Sequence, residues 1–397
     1  MRNVWIVGAG TGSVITLTRE AEGLIRTCPC VIATERIAEG LCELRADIRT
    51  VPYTKTLDFV QSEPGDVAVL VSGDTGFFSA AQSLAASLKG TANVRFVAGI
   101  GSLQYFCAAI GTRYDDAGLI SLHGRDGELL GAVSYNRRVL ALTGGDNSAS
   151  AVCSRLASAG LGRVSVTIGE NLGSAQERIV SGTAAELALE STSGLAVMLI
   201  ENGASTNSAL PLRDSDFIRG NVPMTKEEIR WLAAAKLRIS PTDTVFDIGA
   251  GTGSCAIEFA RRASRGRVFA IERNTAALEL IAINRVKTGA YNVEIVNAEA
   301  PDGLGTLPVP DCVFIGGSGG NLSVILQQLI EKNPRLRIVI TAITLETLFE
   351  ATSVLKNLGI DAETVQISAA RTQKTGNYSM FAGLNPVFII SGGASDE

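Results

Sequence analysis

Histidine is almost absent from this chain: a single residue, His123, stands among 397. That excludes a metal site built on two histidines and any catalysis that needs a histidine pair, and no metal is expected. Basic residues are not in excess either. The balance of 35 Lys and Arg against 40 Asp and Glu gives a net charge of −5 and a pI near 5.3. A nucleic-acid binder would usually carry a basic face, so no nucleic-acid partner is expected; only a local basic pocket for an anionic small molecule stays open. No apolar run is long enough to cross a bilayer, so no membrane partner is expected. The sequence runs straight into Val4-Trp-Ile-Val7, so no cleavable signal is expected. The seven cysteines include Cys28-Pro-Cys30 but no Cys-x-x-Cys, which suits small apolar filler in a reducing cytoplasm.

What is abundant is glycine, 42 residues, and apolar residues at 46%. With this length they describe a packed α/β protein of more than one domain. The most informative stretch is Val245-Phe-Asp-Ile-Gly-Ala-Gly-Thr-Gly-Ser254. Val245, Phe246 and Ile248 suit a buried parallel strand. Gly249, Gly251 and Gly253 permit a tight turn and close approach of a ligand, and the helix that follows aims its free amides at the same spot. Nineteen positions past Gly253, at the end of the next apolar run (Val268-Phe-Ala-Ile-Glu272), stands a carboxylate able to accept ribose hydroxyls. A nucleoside ligand follows.

The first half alternates apolar runs with helical segments. Asn3 to Gly8 is predicted as a strand, Thr18 to Arg26 as a helix and Val31 to Glu35 as a strand; Asp66 to Asp74 and 93–98 are further strands. Glycine turns follow three of the strands: Gly8-Ala-Gly-Thr-Gly12, Ser72-Gly-Asp-Thr-Gly-Phe77 and Gly99-Ile-Gly-Ser102. They gather backbone amides at one sheet edge, which nominates Gly8, Gly10, Gly12, Gly73, Asp74, Gly101 and Ser102 for ligand binding. The first turn with Glu35 also imitates a dinucleotide fingerprint, although Ser13 stands where its third glycine belongs. Strands are further expected over 119–125, 139–145, 163–170 and 195–200. His123 lies between an apolar run and a glycine, a setting more often structural than catalytic.

The stretch Gly203-Ala-Ser-Thr-Asn-Ser-Ala-Leu-Pro211 has the composition of a linker. It divides the chain into domains 1–203 and 204–397. Thr225 and Glu228 suggest a capping box opening the second half. Strands 267–272, 293–296, 312–315, 336–341, 363–368 and 387–390 complete a seven-stranded set with two consecutive strands at its end.

The second half resembles the precorrin C15-methyltransferase (decarboxylating) family through Met224-Thr-Lys-Glu-Glu-Ile-Arg230, Asp247-Ile-Gly-Ala-Gly-Thr-Gly253, Ala270-Ile-Glu-Arg-Asn274, Phe314-Ile-Gly-Gly-Ser-Gly-Gly-Asn321, Ala342-Ile-Thr-Leu-Glu346 and Leu384-Asn-Pro-Val387. The first half is similar to the tetrapyrrole methylases, in particular their precorrin C5-methyltransferase branch. Val7-Gly-Ala-Gly-Thr-Gly12, Ser72 to Phe77, Leu122-His-Gly-Arg125 and Gly169-Glu-Asn-Leu-Gly173 carry that likeness. Thr11 stands where the family more often has proline. The resemblance implies a tetrapyrrole methylase-type α/β domain followed by a class I Rossmann-like methyltransferase fold, with an S-adenosylmethionine site in each. It implies methylation of a precorrin at C5 and C15, with decarboxylation of the C12 acetate, in cobalamin biosynthesis, and a homo-oligomer. In the second half it places the cofactor on Thr225, Gly249, Ala250, Gly251, Thr252, Gly253, Glu272 and Ala300.

The substrate pocket is expected at Ser318, Gly319 and Asn321, in the turn after the fourth strand of this half, with Arg371 as a candidate partner for substrate carboxylates. Arg273 and Lys374, and Arg113, Arg125 and Arg137 in the first half, are further cations suited to a polyanion. Three rival readings stay open at this point: a methyltransferase for another small molecule or RNA, a nicotinamide oxidoreductase, and a non-catalytic tetrapyrrole carrier.

Overall fold

In a computed structural model, residues 2–123, 129–192 and 195–393 are described. They form two compact units, one of residues 2–123, 138–157, 162–192 and 195–200, the other of 129–137, 158–161 and 201–393.

The first unit opens with five parallel strands: β1 (Asn3–Gly8), β2 (Cys30–Ala33), β3 (Arg49–Thr50), β4 (Val67–Val71) and β5 (Asn93–Val97), in the order β3-β2-β4-β1-β5. Their apolar runs are continuous because both faces are covered. Val7, Val31 and Leu70 pack against Ala21, Ile25 and Ile37 on one face. Ile6, Ile32 and Val69 pack against Val60, Ala81 and Leu84 on the other. The helix Arg19–Thr27 starts where Thr18 accepts the Ala21 amide at 3.2 Å. A second sheet comprises β6 (Gly118–Ser121), β7 (Arg138–Leu142), β8 (Ser165–Glu170), β9 (Arg178–Thr183) and β10 (Ala196–Glu201), ordered β6-β7-β10-β8-β9. Leu103 and Phe106 of the helix Ser102–Ala109 pack with Leu140 of β7 and Val197 of β10.

Between β10 and the helix Glu227–Lys236 the described chain holds only a short 3-10 turn at Asp214–Asp216. The expected capping box is not formed. The helix begins two residues after Thr225, with Lys226 as N-cap and no side-chain cap, because the Glu228 carboxylate is taken by Arg371.

The sheet of the second unit joins β11 (Thr244–Ile248), β12 (Arg267–Glu272), β13 (Val293–Asn297), β14 (Cys312–Ile315), β15 (Arg337–Ala342), β16 (Ala362–Ile367) and β19 (Val387–Gly393). Its order, β13-β12-β11-β14-β15-β19-β16, puts β11 inside the sheet and leaves β19 antiparallel to both its neighbours. Alternate residues of β11 feed the two cores, Val245 on one side and Phe246 and Ile248 on the other. A separate hairpin, β17 (Ala370–Thr375) with β18 (Tyr378–Gly383), precedes β19. It has no counterpart in the sequence expectations: both its faces are largely exposed, so Arg371 to Thr375 show no alternation of apolar and polar residues.

Candidate active site

The site is built at the carboxyl ends of β11, β12 and β14, where open α/β sheets bind ligands. The turn after β11 takes left-handed backbone at Gly249, Gly251 and Gly253, with φ of 73°, 55° and 76°. At Gly249 a side chain is excluded twice over, since a Cβ would lie 2.7 Å from the carbonyl oxygen of Gly317. The turns after β11 and β14 therefore touch backbone to backbone. A Cβ at Gly253 would meet Ile281 at 3.1 Å, so this glycine lets the following helix, Ser254–Arg262, pack closely.

Glu272 ends β12 and organises the turn. Its Oε2 accepts the Gly251 amide at 2.9 Å, and its Oε1 accepts the amides of Arg273 and Asn274, each at 2.9 Å. Thr225 faces the turn from the segment before Glu227–Lys236; its carbonyl oxygen accepts Nη1 of Arg230 at 2.9 Å. The Ala300 carbonyl accepts Nδ2 of Asn321 at 3.3 Å, joining the loop after β13 to the turn after β14.

These groups surround one cavity of about 1090 Å³. Thr225, Gly249 to Thr252, Glu272 and Ala300 line one part of it; Ser318 and Gly319 line another, continuing to Thr341, Glu350 and Asn385. Gly253 and Asn321 are not in the lining: Gly253 packs on Ile281, and Asn321 bonds the Ala300 carbonyl. Arg371 is not in the lining: on β17 it makes a bidentate pair with Glu228 (2.9 and 2.7 Å) and a contact to Asp214 at 3.0 Å. Arg273 does line the cavity, with its guanidinium paired to Glu299. Lys374 is exposed on β17 and lies outside the lining.

Three polar residues matter beyond those nominated from the sequence. Asp247 on β11 is fully buried, and neither carboxylate oxygen has a regular hydrogen-bond partner. Burial pushes its pKa up to about 7; the nearby Ala256 amide pulls the other way without offsetting it. Arg230 is completely buried, stacked 4.7 Å from the Phe217 ring centroid and bonded to the Leu212 carbonyl at 2.7 Å. Asp214 reaches Arg230 at 3.3 Å and Arg371 at 3.0 Å. A partner-dependent arginine cannot be told from a surface arginine by its own sequence context. Asp247, by contrast, sits inside an apolar run, and that was a usable signal. Thr252, already a candidate, lines the cavity, and its buried hydroxyl has no hydrogen-bond partner.

In the first unit the three glycine turns do meet. Gly10 and Gly73 exchange backbone hydrogen bonds of 3.3 and 2.7 Å, and a Cβ at Gly8 would lie 2.6 Å from the Gly99 amide. Asp74 accepts the amides of Gly99 and Gly76 at 3.1 and 2.7 Å. A Cβ at Gly73 would lie 3.6 Å from Cα of Gly101 and 3.9 Å from the Ser102 amide, so these two belong to the same cluster. Gly12 is set apart beside Arg36, which bonds the Thr11 carbonyl and Ser72 Oγ, each at 2.8 Å. The Thr11 amide donates to Thr16 Oγ1 at 3.1 Å, a bond that proline could not make. Glu35 does not end a strand; it begins the helix Glu35–Gly40, which removes the acidic residue from the place a dinucleotide fingerprint requires. His123 packs on the turn at Gly144. Arg113 pairs with Asp116 and Asp115, Arg137 is exposed, and Arg125 lies outside the described residues.

Among the described residues no helix is long and apolar enough to cross a membrane. Residues 3–188 match the family model of tetrapyrrole (corrin/porphyrin) methylases, and residues 216–392 that of the precorrin methyltransferase domain. The cobalt-precorrin-6B C(15)-methyltransferase (decarboxylating) of Salmonella typhimurium is 40% identical over 185 residues, covering 45% of this chain and 94% of that protein. The precorrin-6Y C(5,15)-methyltransferase [decarboxylating] of a Sinorhizobium species is 29% identical over 391 residues, 96% of this chain and 94% of the relative. A crystal structure of precorrin-6Y C5,15-methyltransferase from Geobacter metallireducens covers 47% of this chain and 97% of its own, at 40% identity and a TM-score of 0.45. The chain belongs to the precorrin methyltransferase family, with a tetrapyrrole methylase half followed by a precorrin methyltransferase domain.

Proposed function

We propose that this chain methylates a precorrin at C5 and C15 and removes the C12 acetate carboxyl group as CO2, as a bifunctional enzyme of cobalamin biosynthesis. The second unit serves C15 methylation and decarboxylation, and the first serves C5. The observation that carries this reading is the single cavity shared by the Gly249–Thr252 turn, Glu272 and the Gly316–Gly320 turn. It joins a nucleoside-binding end to a wide second region that suits a macrocycle.

The residues fit S-adenosylmethionine, which supplies an electrophilic methyl group when bound. Glu272 already holds three amides and keeps one of its roughly four lone-pair sites, on Oε2, for a ribose hydroxyl. The buried, unpartnered hydroxyl of Thr252 gives the methionine end a polar contact. Glu299 and Ala300 border the adenine end. Methyl transfer from a sulfonium is an in-line displacement, so the chain's task is to align a carbon nucleophile and exclude water. No nucleophilic side chain is required. Loss of CO2 can use the conjugated ring as its electron sink, and the Gly316–Gly320 turn holds the ring over the methyl donor.

A second donor site, around Gly73, Asp74, Gly101 and Ser102, belongs to the same proposal, with Gly8, Gly10 and Gly12 supporting it. So do a cytoplasmic setting and a homo-oligomer, the latter supported by the exposure of Phe349, Tyr378 and Phe381 at 74, 77 and 78%. The test is incubation of the full chain with precorrin-6B and S-adenosylmethionine, followed by mass spectrometry. Two methyl additions and one CO2 loss are expected; methylation without CO2 loss, or no consumption of the methyl donor, would overturn the assignment.

A further inference from the structure

Arg371 stands where two walls of the cavity come within reach of each other. One wall is the segment Pro223 to Lys226, which lines the cavity and leads directly into Glu227 and Glu228. The other is Leu384, Asn385 and Val387, which line it after the hairpin. Arg371 lies at the hairpin's base, paired across to Ala382, and the Leu384 amide bonds the Ala369 carbonyl at 2.8 Å. A bidentate bond to Glu228 and a 3.0 Å contact to Asp214 therefore link the second wall to the first. Glu227 approaches the same guanidinium at 3.7 Å and also accepts the Asp214 amide at 2.6 Å.

Two arginines share Asp214, and they differ in accessibility. The Arg230 side chain is 0% exposed, while those of Arg371 and Glu228 are 38% and 34% exposed. A buried arginine with this many partners is a permanent anchor. A half-exposed bidentate pair is directional, but water and salt compete for it, so it can open. A macrocycle is much larger than a nucleoside, and a rim that opens on one side suits its entry.

We infer that Arg371 is a positioning residue, a latch that holds the two rims of the cavity together around the methyl donor; this rests on the reading of the cavity as the S-adenosylmethionine site of the second unit. Without Arg371, the carboxylates of Asp214, Glu227 and Glu228 face one another with less positive charge between them, and the wall that leads into Glu227 and Glu228 loses its tie to the hairpin. The consequence falls on retention of the nucleoside, not on the methyl-transfer geometry itself.

The test is calorimetry of the full chain with S-adenosylhomocysteine. Gly251→Val first identifies the binding event that belongs to the second unit; if it removes none, the reading of the cavity fails independently of the latch. Arg371→Ala and Glu228→Gln should each weaken that event by roughly 5- to 10-fold, and the double variant should lose no more than either alone. Arg371→Lys, which keeps charge but not the fork, should fall between. Raising ionic strength should weaken binding by the native chain more than by Arg371→Ala. Native affinity in the single variants, or losses that simply add, would overturn the latch. So would an affinity loss matched by an equal loss of unliganded thermal stability, which would make the role structural; Arg371→Lys keeps that comparison possible if Arg371→Ala does not fold.

Discussion

The Gly251 amide donates to Glu272 Oε2 at 2.9 Å, so the glycine turn is tied to the end of β12 before any ligand arrives. One carboxylate thus holds the turn and, under the proposed function, also offers an acceptor to a ribose. Glu272→Ala removes both. The affinity for S-adenosylhomocysteine at the second-unit site should fall by roughly 10- to 100-fold, the range for losing hydrogen bonds to a charged group. Titration calorimetry measures it, and a variant that binds as the native chain does would remove Glu272 from the site.

Gly249 and Gly317 make a contrasting pair. A Cβ on Gly249 would meet the Gly317 carbonyl oxygen at 2.7 Å from a backbone with φ of 73°, whereas a Cβ on Gly317 has nothing within 4 Å. Gly249→Ala should cost about 1–3 kcal/mol of stability, and Gly317→Ala should cost little. Urea unfolding of the two variants side by side decides it; equal losses would show that the contact between the turns is not what demands glycine at 249.

Gly251 offers a functional separation. Its Cβ would lie 3.2 Å from the Pro223 carbonyl oxygen, with φ of 55°, so Gly251→Val distorts the turn and the facing rim together. C15 methylation and CO2 loss should disappear while C5 methylation is largely retained, as mass spectrometry of the products would reveal. Loss of both methylations would mean that the two units do not work as separate donor sites.

Much of this architecture could be read from the residues because parallel strands buried on both faces leave unbroken apolar runs, as at Val67–Val71 and Cys312–Ile315, and glycine turns mark their ends. Gly249, Gly251 and Glu272 were legible for the same reason: spacing along the chain determines their meeting at one sheet edge. Arg371 was not. Its partners lie 143 and 157 positions away, at Glu228 and Asp214, and a charge on an exposed hairpin carries no local sign of what it pairs with. Glu228 misled for the complementary reason. Its spacing from Thr225 fits a capping box, but a bidentate arginine competes for the same carboxylate more strongly than a backbone amide does.

Arg230 should prove among the most sensitive stability positions in the second unit. Its guanidinium is wholly buried and lies between Asp214 at 3.3 Å and Glu258 at 3.9 Å, with the carbonyls of Thr225 and Leu212 as further partners. Arg230→Met keeps the volume but removes the buried cation between two carboxylates, leaving Asp214 to Arg371 at 3.0 Å and Glu258 to Arg262 at 3.8 Å. A loss of about 3–5 kcal/mol is expected in chemical denaturation. A loss below about 1 kcal/mol would mean that solvent reaches these carboxylates once the arginine is gone.

Asp247 gives the second unit a pH dependence whose sign can be worked out. Burial raises its folded pKa from 3.8 to about 7, so the folded state holds this proton more tightly than the unfolded chain does. The stability that comes from the protonated form is fully present below the unfolded value and is lost as pH rises through about 7. An asparagine side chain at this position would have no proton to lose, while its amide oxygen would keep an acceptor near the Ala256 amide. Asp247→Asn should therefore match the native chain near pH 4 and exceed it increasingly toward pH 8, by an upper bound of about 4 kcal/mol. Thermal or urea unfolding across that range, without ligand, measures the difference directly. A gap independent of pH would show that Asp247 remains ionised in the folded protein, with a partner for its charge that the apolar surroundings of β11 do not supply.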